Sequence, residues 1–292
     1  MKPVAWITGA AGLIGGYLVR SATRWAPGWE VRGLTRSDAD LTDPAQITRL
    51  WRARPPQLVI HGAALSRTGA CELDPVRART INVEATRVLA DLAQAIPFIF
   101  LSSDQVFDGA KGNYVEEDHI NPLNVYGRTK AEAEQVVMQN PAHAVVRIAL
   151  TAGTSSSHDR SFVEDMLRAV GKGTTLTLFT DEFRCPVAAG PLARALWEFA
   201  AQSTPGLYHL GGSERLSRWE IGELLSWIYP ALRAHIQPGS VADYQGLPRP
   251  PDLSMSSAKL QALLSFPLPG FRRWIQEGRG SKEDPWDDQS AG

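Results

Sequence analysis

Cysteine is scarce: Cys71 and Cys185 are the only two in 292 residues, far apart and without a CxxC. They make neither a thiolate metal site nor a disulfide framework. The six histidines show no HExxH or comparable ligand spacing, so no metal is expected. An excess of basic charge is also missing: 30 Lys and Arg face 31 Asp and Glu, for a net charge of −1. That excludes holding nucleic acid or an anionic membrane by bulk electrostatics. No apolar run approaches the roughly 20 residues that span a bilayer. The opening MKPVAWITGAAGLIG is too short and glycine-broken for a secretory leader. Internal repeats and low-complexity blocks are absent. The expectation is a soluble, cytoplasmic globular protein with no nucleic-acid or membrane partner.

What is present is an alternation. The chain is 43% hydrophobic, enough for one large core or two moderate ones. Strand candidates are VAWIT (4–8), WEVRGLT (29–35), QLVIHGAA (57–64), FIFLSS (98–103) and AVVRIAL (144–150), with amphipathic helical stretches between them. This order predicts an α/β fold: a Rossmann-type, doubly wound parallel sheet covered on both faces. After a Ser/Thr/His loop at 151–161 the pattern loosens, and GLYHLGG (206–212) reads as a strand returning to the sheet. Residues 1–150 plus about 190–213 are thus expected to bind a nucleotide cofactor. About 151–189 and 214–277 form a smaller mixed α/β lobe for substrate, and the polar stretch 278–292 a disordered tail.

TGAAGLIG (8–15) follows the first strand and opens the first helix, placing Gly9, Gly12 and Gly15 in a GxxGxxG spacing. The first two let the backbone turn and approach a pyrophosphate; the third lets helix pack on strand. The helix N-terminus offers its N–H groups and positive dipole end to the phosphates. After the second strand, GLTRSDADLTD meets Arg36 as its first charged residue, with Asp38 and Asp40 beyond. Arginine suits an adenosine 2′-phosphate, so NADP(H) is preferred; Asp38 accepting from the ribose is the other reading and keeps NAD(H) possible.

The fourth strand ends at Ser102 and Ser103, outside which ligands of a doubly wound sheet bind. The next helix, in NPLNVYGRTKAEAE, carries Tyr126 and Lys130 four residues apart, on one face. An ammonium beside a phenol favours phenolate and predicts a lowered tyrosine pKa, usable for general acid–base work. With a serine to fix the substrate oxygen, this is the set that hydride chemistry on a carbonyl needs.

TGxxGxxG, then a strand-end Ser, then YxxxK resembles the signature set of extended short-chain dehydrogenases/reductases. SSDQVFDG, NPLNVYGRTKAEAE, CELDPVRARTIN with Asn82, RSFVEDMLR, DEFRCPV and RPPDLSM further resemble the dTDP-4-dehydrorhamnose reductase branch, over about residues 4 to 265. The resemblance implies catalytic roles for Ser103, Tyr126 and Lys130, the lysine also holding the nicotinamide ribose. It implies Gly9, Gly12, Leu13 and Ile14 at the pyrophosphate, Asp40 and Leu41 along the adenine, and Ala63 and Ala64 beside the adenosine ribose. Ser102 joins the cofactor side. On the substrate side fall Ser103, Gln105, Arg184 and Arg249, the two arginines as diphosphate clamps or, alternatively, surface salt bridges. The chain departs from the branch at Gln105, Ser161, Arg184 and Cys185, all where substrate should sit. His61 is expected to be a packed strand-end residue. The function implied is NADPH-dependent reduction of the 4-keto group of a nucleotide-diphosphate deoxysugar, by a monomer or homodimer. A sugar-nucleotide epimerase or a non-catalytic NADP-binding regulatory subunit are alternatives; the Asp104-Gln105 pair, with an amide in place of an acid, disfavours dehydration.

Overall fold

The computed structural model describes residues 1–277 and 286–287. The chain begins with β1 (Val4–Thr8), α1 (Leu13–Trp25), β2 (Glu30–Leu34), α2 (Pro44–Ala53), β3 (Leu58–His61) and α3 (Thr68–Leu73). Next come α4 (Pro75–Arg79), a π turn at Thr80–Glu84, α5 (Ala85–Leu92), β4 (Phe98–Ser103), α6 (Val125–Val137) and β5 (Ala144–Ile148). The remainder holds β6 (Thr151–Ala152), α7 (Phe162–Val170), β7 (Leu176–Phe179), β8 (Phe183–Arg184), β9 (Val187–Ala188) and α8 (Ala189–Gln202). It closes with β10 (Gly206–Leu210), β11 (Leu216–Ser217), α9 (Arg218–Ile228), β12 (Ile236–Gly239), α10 (Ala258–Gln261) and α11 (Phe271–Gln276).

Six strands pair in the order β10-β5-β4-β3-β1-β2, every pair parallel. The sixth is the GLYHL run, which returns beside β5 as its apolar pattern predicts. Side chains alternate across the sheet. Val4, Trp6, Val59, Phe98, Phe100 and Val145 point to a layer with residues of α2, α5 and α6. Ala5, Ile7, Ile60, Leu101 and Val146 point to the opposite layer with α1 and α8. Both faces are therefore covered, which is why the strands read as unbroken apolar runs.

The smaller elements pair among themselves: β8 antiparallel with β11, β7 parallel with β12. Helix α9 packs on β7 and β12. The core cluster that holds Ile7 and Trp197 continues into Leu178, Leu224 and Leu225, so these smaller elements share apolar core with the sheet. Most of the expected tail, 278–292, lies outside the described residues. Where it is described, Trp286 is fully buried, stacks on Phe271 with ring centroids 6.0 Å apart, and accepts from the Gly190 N–H at 2.7 Å. At that point the chain is packed, because a large indole finds an apolar seat beside α8 and α11.

Candidate active site

The glycine turn is built by close approach. Gly9 has φ of 73°, and a Cβ there would meet the Ala63 nitrogen at 2.8 Å. A Cβ at Gly15 would overlap the Gly9 carbonyl, whereas at Gly12 it would lie 3.1 Å from that oxygen. The third glycine is thus the tightest. Helix α1 starts after Gly12 with no side-chain cap and no acid in its first turn, leaving its N-terminal dipole for an anion. Leu13 and Ile14 anchor that turn by packing on the core beneath it. A cradle that any Cβ would fill, below an uncapped helix N-terminus, fits a dinucleotide pyrophosphate. Gly15→Ala should therefore destabilise the fold by about 1–3 kcal/mol through overpacking and weaken NADPH binding. Thermal unfolding and a fluorescence titration check the two effects.

Arg36 is exposed in the turn after β2. The Asp38 carboxylate accepts from the Thr35 N–H at 2.8 Å and the Thr35 hydroxyl at 2.7 Å, which hold it ionised and occupy it in the turn. The Asp40 carboxylate likewise accepts from the Thr42 N–H and hydroxyl, at 2.9 and 2.8 Å, and Leu41 packs on the apolar layer below. Ala63 and Ala64 follow β3, part-buried, at the carboxyl end of the sheet. Two groups the motifs underplay hold that loop. Asn82, in the π turn, accepts from the Leu65 N–H at 2.8 Å and donates to the Leu65 carbonyl and the Thr129 hydroxyl, at 3.1 and 2.9 Å. His61 lies between the Thr8 hydroxyl (2.6 Å) and the Thr86 hydroxyl (2.9 Å). Thr86 already donates to the Asn82 carbonyl, so it accepts from Nε2–H, and Nδ1 accepts from Thr8. Burial first, then the Lys130 charge, pushes this imidazole down to about 3, so it is neutral and structural.

Ser102 and Ser103 part company, since neighbours on a strand face opposite ways. Ser102 is turned inward and donates to buried Glu134 at 2.5 Å; Glu134 in turn holds Arg147 by Nε and Nη2, and Arg147 meets His209. The Ser102 hydroxyl, expected on the cofactor side, is therefore spent on a buried network. Ser103 donates to Asp104 at 3.0 Å and accepts from the Gln105 N–H at 3.2 Å. Burial pushes the Asp104 carboxyl up to about 6, against the pull of Arg184 and the Ser103 hydrogen bond.

Helix α6 begins with the Asn124 side chain accepting from the Gly127 N–H at 2.8 Å. Only glycine fits at 127, where a Cβ would overlap the Gln105 carbonyl. The Gln105 amide is occupied with Asn124 at 3.0 Å. These contacts set Tyr126, part-buried against Cys71, Ala78 and Val125. The expected lowering of the Tyr126 pKa by Lys130 is not what the structure shows. Burial raises it, Ser103 hydrogen bonding opposes that, and the charges of Asp104 and Cys71 raise it further. The Lys130 ammonium is directed elsewhere: it donates to the Leu101 carbonyl at 2.7 Å and lies 3.9 Å from the Phe100 ring centroid. Burial brings Lys130 down to about 7, with Glu134 opposing. An amine aimed at the Leu101 carbonyl and the Phe100 ring does little to stabilise phenolate, so Tyr126 holds its proton and is set up as an acid.

On the far wall, Arg184 is buried, ion-paired with Glu182 at 2.8 Å and donating to the carbonyls of Phe183 and Pro250. It is neither a surface salt bridge nor open to a diphosphate. Arg249 donates to Glu182 through Nε at 2.7 Å and Nη2 at 3.0 Å, tying the Pro-rich loop to that wall. Ser161 caps α7 in a capping box with Glu164.

The model of the RmlD substrate binding domain family matches residues 4–278. The chain belongs to that family. It is 29% identical over 260 residues to a dTDP-4-dehydrorhamnose reductase of Sinorhizobium fredii, covering 84% of this chain and 87% of that one. It is 30% identical over 289 residues to methionine adenosyltransferase 2 subunit beta of Xenopus laevis, covering 94% and 86%. Among solved structures, a Bacillus anthracis dTDP-4-dehydrorhamnose reductase in complex with NADP superposes with a TM-score of 0.85 at 22% identity, over 95% of this chain and 98% of that one. At that identity the likeness establishes the fold. Among the described residues no helix is long and apolar enough to cross a membrane.

Proposed function

We propose that the protein is an NADPH-dependent reductase of the 4-keto group of a nucleotide-diphosphate deoxysugar. The observation that carries this reading is Tyr126 within hydrogen-bond reach of Ser103 at the carboxyl end of β4, its pKa raised by burial, in a sheet whose β1–α1 turn is cut for a pyrophosphate. The S. fredii relative's name supports the same chemistry. When bound, the cofactor supplies hydride to the carbonyl carbon. Tyr126 gives its proton to the carbonyl oxygen, and Ser103 turns its hydroxyl from Asp104 to hold that oxygen. Lys130, reaching Leu101 at the sheet end, would hold the nicotinamide ribose. The sheet serves the cofactor, and the elements from 151–189 and 214–277 serve the sugar nucleotide, with Gln105 and Arg249 on its side.

Turnover of dTDP-4-keto-6-deoxy sugars, followed by NADPH oxidation, tests this. The X. laevis relative favours a second reading, a cofactor-binding regulatory subunit. Tight NADPH binding with no oxidation across a broad set of keto-sugar nucleotides would select it. Because Asp38 is occupied by Thr35, Arg36 is the charged group left to meet a 2′-phosphate. Arg36→Ala should weaken NADPH binding roughly tenfold or more, the worth of a charged hydrogen bond, with NADH affinity unchanged. Equal losses for both cofactors would show that Arg36 does not read the 2′-position.

A further inference from the structure

Arg218, the first residue of α9, belongs to none of the recognised motifs. Its backbone N–H donates to the Glu182 carbonyl at 2.8 Å, and Leu216 pairs with Arg184 across β11 and β8. Arg184, Arg218 and Arg249 thus gather around Glu182. That carboxylate is only 2% exposed, and its two oxygens already accept three bonds from Arg184 and Arg249. Arg218 as a residue is part-buried; its guanidinium lies 5.0 Å from the Phe162 ring centroid, is desolvated, and is hydrogen-bonded by no described residue. Glu182 and Asp104 act on it through charge alone, with the other two arginines opposing them. Three guanidinia therefore face two carboxylates, and Asp104 is pushed toward neutrality.

A desolvated cation without a hydrogen-bonded partner is costly. Burial accordingly lowers the Arg218 pKa to about 10. A planar fork of uncommitted donors, near enough to Asp104 for the two charges to act on each other, is complementary to an oxyanion. We infer that Arg218 is the anion-binding, specificity-determining residue of the substrate crevice, while Arg184 and Arg249 brace it through Glu182. The oxyanion it takes belongs either to the diphosphate of the sugar nucleotide or to a carboxylate on the sugar. This rests on the nucleotide-sugar reading of the site.

Calorimetry on the NADP⁺-saturated wild type, Arg218→Met and Arg218→Lys, with inorganic pyrophosphate, dTDP, dTDP-glucose and dTDP-glucuronic acid, tests it. For a diphosphate, Arg218→Met should bind pyrophosphate and dTDP about 10- to 100-fold more weakly. Arg218→Lys should recover only part of that, because a point charge replaces the fork. For a carboxylate, dTDP binding should hold, and only the preference for dTDP-glucuronic acid over dTDP-glucose should vanish. Affinities unchanged for all four ligands, in variants with wild-type melting and NADPH binding, would overturn the inference. A wild type that binds pyrophosphate but no dTDP compound would unseat the nucleotide-sugar reading alone, with pyrophosphate still reporting on Arg218. A wild type that binds none of the four would end both.

Discussion

Tyr126→Phe should lower kcat by about two to four orders of magnitude, the usual worth of a positioned general acid, with NADPH affinity nearly intact. The ring keeps its packing on Cys71, Ala78 and Val125, and the Asn124 cap and the Gly127 contact do not involve the hydroxyl. Only the proton is lost. Burial and the nearby Asp104 and Cys71 hold the phenol pKa above its ordinary value. Deprotonation of Tyr126 should therefore not cause an alkaline fall in kcat anywhere in the neutral range. Steady-state NADPH oxidation with a keto-sugar nucleotide between pH 6 and 9 reads both effects. A Tyr126→Phe variant with near-normal kcat would dismiss the mechanism. Ser103→Ala should cost less, since it removes an anchor and leaves the acid.

The sheet was legible because buried parallel strands are written as local apolar runs. VAWIT, FIFLSS and GLYHL each fall within the strand range predicted for them, and the glycine turn announces itself by spacing. The site was legible only where its parts are local. Tyr126 and Lys130 share a helix, yet the direction of the ammonium depends on Leu101 and Phe100, 29 and 30 positions earlier in the chain. A spacing of four could not give that. Strand parity was available and would have sent the hydroxyls of Ser102 and Ser103 to opposite faces of the sheet. The arginine wall around Glu182 was the least legible part. Glu182 meets Arg249 across 67 residues, and Arg184 meets the Pro250 carbonyl across 66. Whether an arginine is committed or open depends on such pairings. Arg218 carried no local signal beyond its place at the start of a helix.

Lys130→Met should make NADPH binding weaker and nearly independent of pH, whereas in the wild type it should depend on pH steeply. In the ligand-free chain burial brings Lys130 down to about 7, with Glu134 opposing. If the ammonium is what holds the ribose, wild-type affinity should be greatest below pH 7. It should then fall by about tenfold per pH unit above the pKa as the binding-competent form is titrated away. Stability moves the other way. A lysine whose folded pKa lies below the ordinary 10.5 leaves the folded chain with fewer bound protons than the unfolded chain between about pH 7 and 10.5. Wild-type stability therefore gains from this group as pH rises through that window, and below pH 7 the full cost of burying the charge remains. The melting temperature of Lys130→Met should exceed that of the wild type most at pH 6, with the margin shrinking at pH 9. NADPH titrations and thermal unfolding at the two pH values give four numbers with opposed signs. Parallel pH profiles for wild type and variant in both measurements would mean that Lys130 carries no titrating charge at the sheet end, and its role at the ribose would fall with it.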